Sequence, residues 1–259
     1  MKSRLGVWVK QAVKSKEGTR LWPEVVDVND LPMDARKAMF ALFERYYENV
    51  SYSRFLTDLD AKDIVVLARR TDVEIVGFST ASFHLLDTDG KRIRYVFSGD
   101  TVADSAYWGD PVLLKAIFRE AGRRKGRHPQ QRLFWFSIFK GHRTFRVLPN
   151  FFKEFVPGIG DGPSQALVRI RNAIARERYG AHFDEATGLV DFGRSLGNLR
   201  SEWATVDEAA QRSRFAALFR SLNPQADRGV ELACLAEYDL PNLKRYAAPM
   251  FAEGLRDMA

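Results

Sequence analysis

The chain has 259 residues, 46% of them hydrophobic and 28% charged, with a formal net charge of +7. That balance is ordinary for a globular protein and too apolar for a disordered one, and the length allows a substantial core. The one cysteine, Cys234, excludes an intrachain disulfide and a cysteine metal cluster, which fits a reducing, cytoplasmic setting.

No apolar run reaches membrane-spanning length, and no long apolar segment of the secretory kind follows the charged N-terminus. The positive charge suits either plain solubility or an anionic partner. Basic residues are dispersed except in Arg119–Arg127, at the end of a predicted helix, where cations also suit the helix dipole. No nucleic-acid motif accompanies them, and no His, Cys, Asp and Glu set has metal-ligand spacing.

Met1–Arg20 mixes small apolar and basic residues and fits a strand or a short helix. Leu21–Asp30 reads as a strand ending in a cap, with a helix starting at Asn29 or Asp30 and Pro32 in its first turn. Ala35–Val50 is helical, with Ala38, Met39, Leu42, Phe43, Tyr46 and Tyr47 on its apolar face. Ser51–Asp60 gives a second short helix with Phe55 and Leu59 inward. Asp63–Arg69 and Glu74–Leu86 are strands by their β-branched runs, Gly77 marking a bulge or close approach. Asp87–Gly90 is a hairpin turn.

In the next strand Ile93, Tyr95 and Phe97 share one face and Arg94, Val96 and Ser98 the other. Ser98-Gly99-Asp100 breaks that alternation as a bulge or bend would. Asp110 and Pro111 then start a helix running to Arg124. Arg132–Phe139 is apolar on both faces and predicts a buried central strand or the lining of an apolar channel. Thr144–Phe155 is expected as helix and loop, interrupted at Pro149. Pro157–Pro163 has the composition of a linker, so residues 1–157 form a core and 158–259 an extension packed on it. In the extension, Ser164–Tyr179 is a helix with Arg169, Arg171, Arg176 and Arg178 facing solvent. Glu185–Leu196 is loop, Thr205–Asn223 helix, Gly229–Glu237 strand and Asn242–Phe251 a last helix.

In this order of elements the segments DIVVLAR, EIVGFSTASF, RIRYVFSGDTVADSAYWGDPVLLKAIFREA and RLFWFSIFKGHRTFRVLP, within about Val25–Pro157, resemble the GNAT acyltransferase superfamily. The resemblance implies an α+β fold: a central, mostly antiparallel sheet flanked by helices, here with a C-terminal helical and strand extension. It also implies that strands Tyr95–Val102 and Leu133–Phe139 splay to admit an acyl thioester, that bulge amides polarise its carbonyl, and that an amine attacks directly. The superfamily's pyrophosphate loop, Gln/Arg-x-x-Gly-x-Gly/Ala, aligns with Ala106-Tyr107-Trp108-Gly109-Asp110-Pro111, where only Gly109 survives. Pro111 removes an N–H donor and Asp110 adds a negative charge. That departure leaves room for a long acyl chain delivered by acyl-CoA or by the phosphopantetheine of an acyl carrier protein. Distant relatives that work in this way are the acyl-homoserine-lactone synthases and long-chain N-acyl amino acid synthases. The Phe-rich block Phe134–Phe155 lines such a chain's tunnel or packs the core, and Arg119–Arg127 offers a surface to an acidic carrier.

Catalysis needs a group to take a proton from the amine and donors to steady the oxyanion. Asp100 is the best-placed base, or else a turn-capping aspartate, and His142 is the second candidate base, or else an exposed loop histidine. Ser98, Gly99 and Thr101 supply the bulge amides. Trp108, Gly109, Lys140, Arg143 and Arg146 are the donor-binding candidates, the cations gripping a phosphate or carboxylate or forming a solvated face. Tyr46 and Tyr47 flank an acceptor site or belong to the core. Where the superfamily often has a Tyr that protonates the leaving thiolate, this chain has Phe145, so that role stays unassigned. The competing expectation is a non-catalytic, GNAT-like binding or assembly module.

Overall fold

The computed structural model describes residues 13–14, 20–158, 164–193, 197–200 and 214–257. The strands are β1 (Val13–Lys14), β2 (Arg20–Asp27), β3 (Tyr47–Glu48), β4 (Ile64–Arg69), β5 (Ile75–Thr88), β6 (Lys91–Ala103), β7 (Leu133–Phe139), β8 (Phe155–Val156), β9 (Phe183–Asp184), β10 (Leu189–Val190), β11 (Asn198–Leu199) and β12 (Glu231–Glu237). The helices are α1 (Met33–Tyr46), α2 (Tyr52–Asp60), α3 (Val112–Arg127), α4 (His142–Phe145), α5 (Val147–Phe151), α6 (Gln165–Tyr179), α7 (Arg214–Leu222) and α8 (Ala248–Arg256).

The fold is α+β, with one large mixed sheet between helices. Its strands run in the order β1-β2-β4-β5-β6-β7-β12-β10-β9, with β8 pairing β12 off that row. Every pair is antiparallel except β6 with β7. The long β5–β6 hairpin closes on Asp89 and Gly90, both left-handed at φ +50° and +69°, as an Asp-Gly hairpin turn requires.

Strand alternation sorts the core into two faces. On one, Val65, Leu67 and Phe78 meet α1 and α2, while Tyr95, Phe97, Phe134 and Phe136 meet Leu167, Ile170 and Ile174 of α6. On the other, Trp135, Phe139 and Leu232 pack with Phe118 of α3 and Phe251 of α8. The aromatic block is spent on this packing: Phe145 lies 5.5 Å from Phe219, and Trp135 5.6 Å from Phe152, centroid to centroid. It lines no tunnel, because Phe134, Phe136, Phe145 and Phe152 are enclosed by neighbouring side chains.

Several expectations are corrected. The first helix starts at Met33 behind Pro32 and ends at Tyr46, where Tyr47 enters β3 and pairs with Leu199. Pro149 sits inside α5 without interrupting it, and the last helix begins at Ala248, not Asn242. Residues 185–196 contain strand β10, which pairs with β9 and β12. Of the four α6 arginines, Arg169 and Arg176 are exposed, but Arg171 is buried and Arg178 half-buried. Arg171 is drawn in because its guanidinium lies over the Phe183 ring and Nε donates to Asn172. The rest of Met1–Arg20, of the linker-like stretch and of the Thr205–Asn223 helix lies partly outside the described residues.

The carboxyl-terminal helix α8 crosses α3 at glycines. A Cβ on Gly254 would overlap the Arg119 carbonyl, and one on Gly122 would overlap the Phe251 carbonyl. Arg119 then ties the pair with bonds to Asp257 at 2.9 and 3.2 Å. Gly254→Ala is therefore expected to destabilise the protein by about 2–3 kcal/mol, because backbone rather than a flexible side chain must move. Chemical denaturation of the two proteins measures the difference.

Candidate active site

Strand β6 carries a bulge at its centre. Ser98 pairs with Ala81 and Thr101 with Ser79, so Gly99 and Asp100 together face the single residue Thr80. A Cβ on residue 99 would lie 2.6 Å from Lys62 Cε and closer still to Thr80 Oγ1, so both side chains would have to shift to admit one. The bulge bends β6 away from its other neighbour. The parallel ladder with β7 runs from Arg94–Leu133 to Phe97–Phe136 and stops there. Both strands continue, β6 to Ala103 and β7 to Phe139, while β7 stays paired with β12 as far as Phe139. Beyond Phe97 and Phe136 the two strands are therefore no longer paired. Between them the Ser137 hydroxyl donates to the Ser98 carbonyl at 3.5 Å.

Charged groups gather where this ladder ends. Burial pushes the Asp100 carboxyl up to about 6, with the like charge of Asp58 adding to the effect and Lys62 and Lys140 opposing it. Lys62 is almost fully enclosed; its ammonium bonds Asp58 at 2.8 Å and stands 5.7 Å from the Phe97 ring centre. Lys140, one residue past β7, lies 3.6 Å from Glu231 of β12 and donates to the Gly197 carbonyl at 3.2 Å. Burial pushes Glu231 up to about 7, with Lys140 opposing and Asp100 adding to the rise. Tyr47, stacked on Phe43 at 4.6 Å, is pushed up to about 12 by burial and then by the fields of Asp100 and Glu231. One cluster thus joins β3, β6, β7, β12 and the segment around Gly197. Two carboxyls poised near neutrality beside an ammonium can accept and return protons at physiological pH.

Of the residues singled out in the sequence, Ser98, Gly99, Asp100, Thr101 and Lys140 come together here. Thr101 turns its hydroxyl to Ser79 at 2.7 Å. Trp108, 40% exposed, donates to the Ala103 carbonyl, and the Arg143 guanidinium lies 5.4 Å from its ring, so the segments leaving β6 and β7 meet there. Arg146 is exposed. His142 begins α4, and its buried Nε2 has no hydrogen-bond partner. Burial, Arg143, Arg220 and Arg146 hold it below its usual range. Tyr46 is committed elsewhere, its hydroxyl accepting from Ser105 N at 2.6 Å. Sequence reasoning missed Glu231, whose place in an apolar strand run gave no sign of a charged neighbour across the sheet.

The start of α3 does not fit a diphosphate. Gly109 turns the chain at φ +88°, and Asp110 Oδ1 then accepts from Val112 N at 2.9 Å. The protein's own carboxylate thus takes the place an anion would need. The basic run beyond is also engaged, Arg119 with Asp257 and Arg124 with Glu120.

No protein-family model matches the sequence, and no curated protein matches it significantly. Comparison of structures finds a distant likeness to GNAT N-acetyltransferases. The Escherichia coli GNAT family N-acetyltransferase YhbS, solved with CoA, is 15% identical with a TM-score of 0.36, over 56% of this chain and 71% of that one. Arabidopsis thaliana NAA60, solved with a bisubstrate analogue, is 16% identical with a TM-score of 0.36, over 52% and 86%. A probable N-acyltransferase from Enterococcus faecalis gives 15%, 0.38, and 52% of this chain, which spans about a third of that protein's length. At such identities the likeness is one of chain path. Among the described residues, no group of three or more His, Cys, Asp or Glu could hold a metal, and no helix is long and apolar enough to cross a membrane.

Because Asp100 is held above its ordinary range, the folded chain binds its proton more tightly than the unfolded chain does. Stability attributable to it is present below about pH 4 and falls as pH rises through about 6. Asp100→Asn is expected to raise the melting temperature by a few degrees at pH 8, on the order of 1–2 kcal/mol, and to change it little at pH 4. Thermal unfolding of both proteins across that range checks the sign.

Proposed function

We propose that the protein is an N-acyltransferase in which an acyl thioester lies between β6 and β7 and an amine attacks its carbonyl directly. The observation that carries this is the end of the β6–β7 ladder at Phe97 and Phe136, beside a bulge that frees backbone groups at Gly99 and Asp100. Unpaired strand edges can hold the amides of a pantetheine arm as a further strand would. The bulge N–H groups around Ser98–Thr101 steady the oxyanion. Asp100 takes the proton from the attacking amine; the tetrahedral adduct collapses with loss of the thiolate, which takes a proton from the Glu231–Lys140 pair. His142, among arginines at the start of α4, is the second candidate base.

The diphosphate of CoA does not suit the α3 N-terminus, where Asp110 already accepts from Val112 N. In this reading Trp108, Gly109, Arg143 and Arg146 meet the phosphopantetheine of CoA or of a carrier protein; the Arg143 guanidinium lies 5.4 Å from the Trp108 ring.

Acyl-pantetheine and acyl-CoA of the same chain length are therefore expected to give kcat/KM values within about threefold of each other, well under the ~1.4 kcal/mol that a tenfold preference represents. A hundredfold preference for acyl-CoA in a thiol-release assay would contradict this donor site. In the same assay, Asp100→Asn should lower kcat by about a hundredfold or more, while wild-type kcat/KM climbs with pH through about 6. Unchanged turnover in the variant removes Asp100 as base. Absence of thiol release from every donor favours a binding module instead.

A further inference from the structure

The β5–β6 hairpin runs on past the end of its other neighbour. β4 pairs with β5 only as far as Ile64 with Ala81, whereas β6 stays paired with β5 to Lys91 and Thr88. Residues 83–88 of β5 therefore have a strand on one side only. Burial falls where the pairing stops: Val76 to Ser82 are buried, and Leu85 is 49% exposed. The ladder fixes where the backbone groups point. Arg94 N–H donates to the Arg132 carbonyl, on the β7 side. Its β5 partner Leu85 thus turns N–H and C=O away from β6, as do Phe83 and Asp87 two residues to either side. The Phe83 N–H is taken by Asp63 Oδ2 at 2.6 Å. Among the described residues, nothing takes those of Leu85 and Asp87.

An edge of this kind is ordinarily blunted by proline, lysine or a bulge. Residues 83–88 hold no proline and no lysine, and the register shift between β5 and β6 lies further back, between Ser79 and Ala81. An open groove of about 680 Å³ is lined by Phe83, His84 and Leu85, a volume in the range of ligand clefts. Its remaining wall is charged. Asp27, at the end of β2, and Asp63, just before β4, stand where an added strand would abut β4. Asp27 is exposed and, among the described residues, has no ion pair; Asp63 bonds a neutral amide. Asp60 is matched by Arg36 at 2.6 Å, and Lys62 by Asp58 and Arg124 by Glu120 at 2.8 Å each. Arg94, bonded to the neutral Gln131, sits one strand further in, on β6. The charge left at the edge itself is negative.

We infer that this edge takes up an extended, basic segment of a partner protein as a further strand, its main chain bonding Leu85 and Asp87 and its cations meeting Asp27 and Asp63. The added strand continues the line of β4 and covers Leu85. Main-chain bonds give the affinity in this mode, and the aspartates select the sequence. Occupation of the edge is independent of acyl transfer, since β5 and β6 separate it from β7.

The test uses the full chain and short labelled peptides in which valine alternates with lysine, serine or glutamate. A further lysine peptide carries proline at two central positions, which keeps the charge and removes main-chain donors. Fluorescence anisotropy should show the lysine peptide bound at micromolar concentration and the serine, glutamate and proline peptides about tenfold weaker or more. In the complex, hydrogen exchange of the Leu85 and Asp87 amides should slow about tenfold or more. Leu85→Pro, which removes an outward N–H and leaves the bonds to β6 in place, should weaken binding about tenfold. Asp27→Lys, at an exposed position, should weaken it severalfold at low salt and carries the test should Leu85→Pro fail to fold. No binding by any peptide, a proline peptide that binds as well as its parent, or undiminished binding to both variants overturns the docking edge. A dimer in sedimentation that Leu85→Pro dissolves assigns the edge to a second copy of the chain and overturns the peptide partner.

Discussion

Everything in the candidate site depends on one local mismatch: two residues of β6 opposite one of β5. A regular strand could have carried the parallel ladder with β7 beyond Phe97 and Phe136. The extra residue turns β6 aside, and the absence of a side chain at residue 99 lets Lys62 and Thr80 close in there. The same residue count places Asp100 on the face that Lys62 occupies instead of the opposite one. The end of the ladder, the carboxylate and the nearby cation thus share one cause.

Burial sets the chemistry where that ladder ends. Asp100 and Glu231 would titrate far below neutrality in water; here each loses hydration, Asp58 adds to the rise of Asp100 and Asp100 to that of Glu231, while Lys140 limits both and Lys62 limits Asp100. The arrangement costs stability at the pH where both carboxyls ionise. An amide or an apolar side chain would fill the same space at less cost.

The local elements were legible in the sequence because their signals are local. Alternation over Arg92–Phe97 and its failure at Ser98–Asp100 gave both the strand and the bulge. The Asp-Gly pair gave the hairpin, and Asp110 with Pro111 gave the start of α3. What escaped depends on which elements become neighbours. Glu231 looked like the polar end of an apolar strand until β12 placed it 3.6 Å from Lys140. Arg178 looked like one of several outward arginines until α6 laid it on Phe97, and Tyr47 looked like helix until α1 ended one residue earlier. Helical period identifies an apolar stripe; it does not say which long cation at the edge of that stripe will fold back over an aromatic ring.

The strand beside β7 comes from the far end of the chain: β12 begins at Glu231, some ninety residues after β7 ends at Phe139. During synthesis β7, with its apolar side chains on both faces, therefore emerges long before its outer partner. At about 5–20 residues per second, the nascent sheet spends several seconds with an unpaired hydrophobic edge. Until Glu231 arrives, Lys140 also lacks its carboxylate. A ribosome-bound fragment ending before β12 would present an unpaired apolar strand and a Lys140 without Glu231, so completion of the sheet waits on β12.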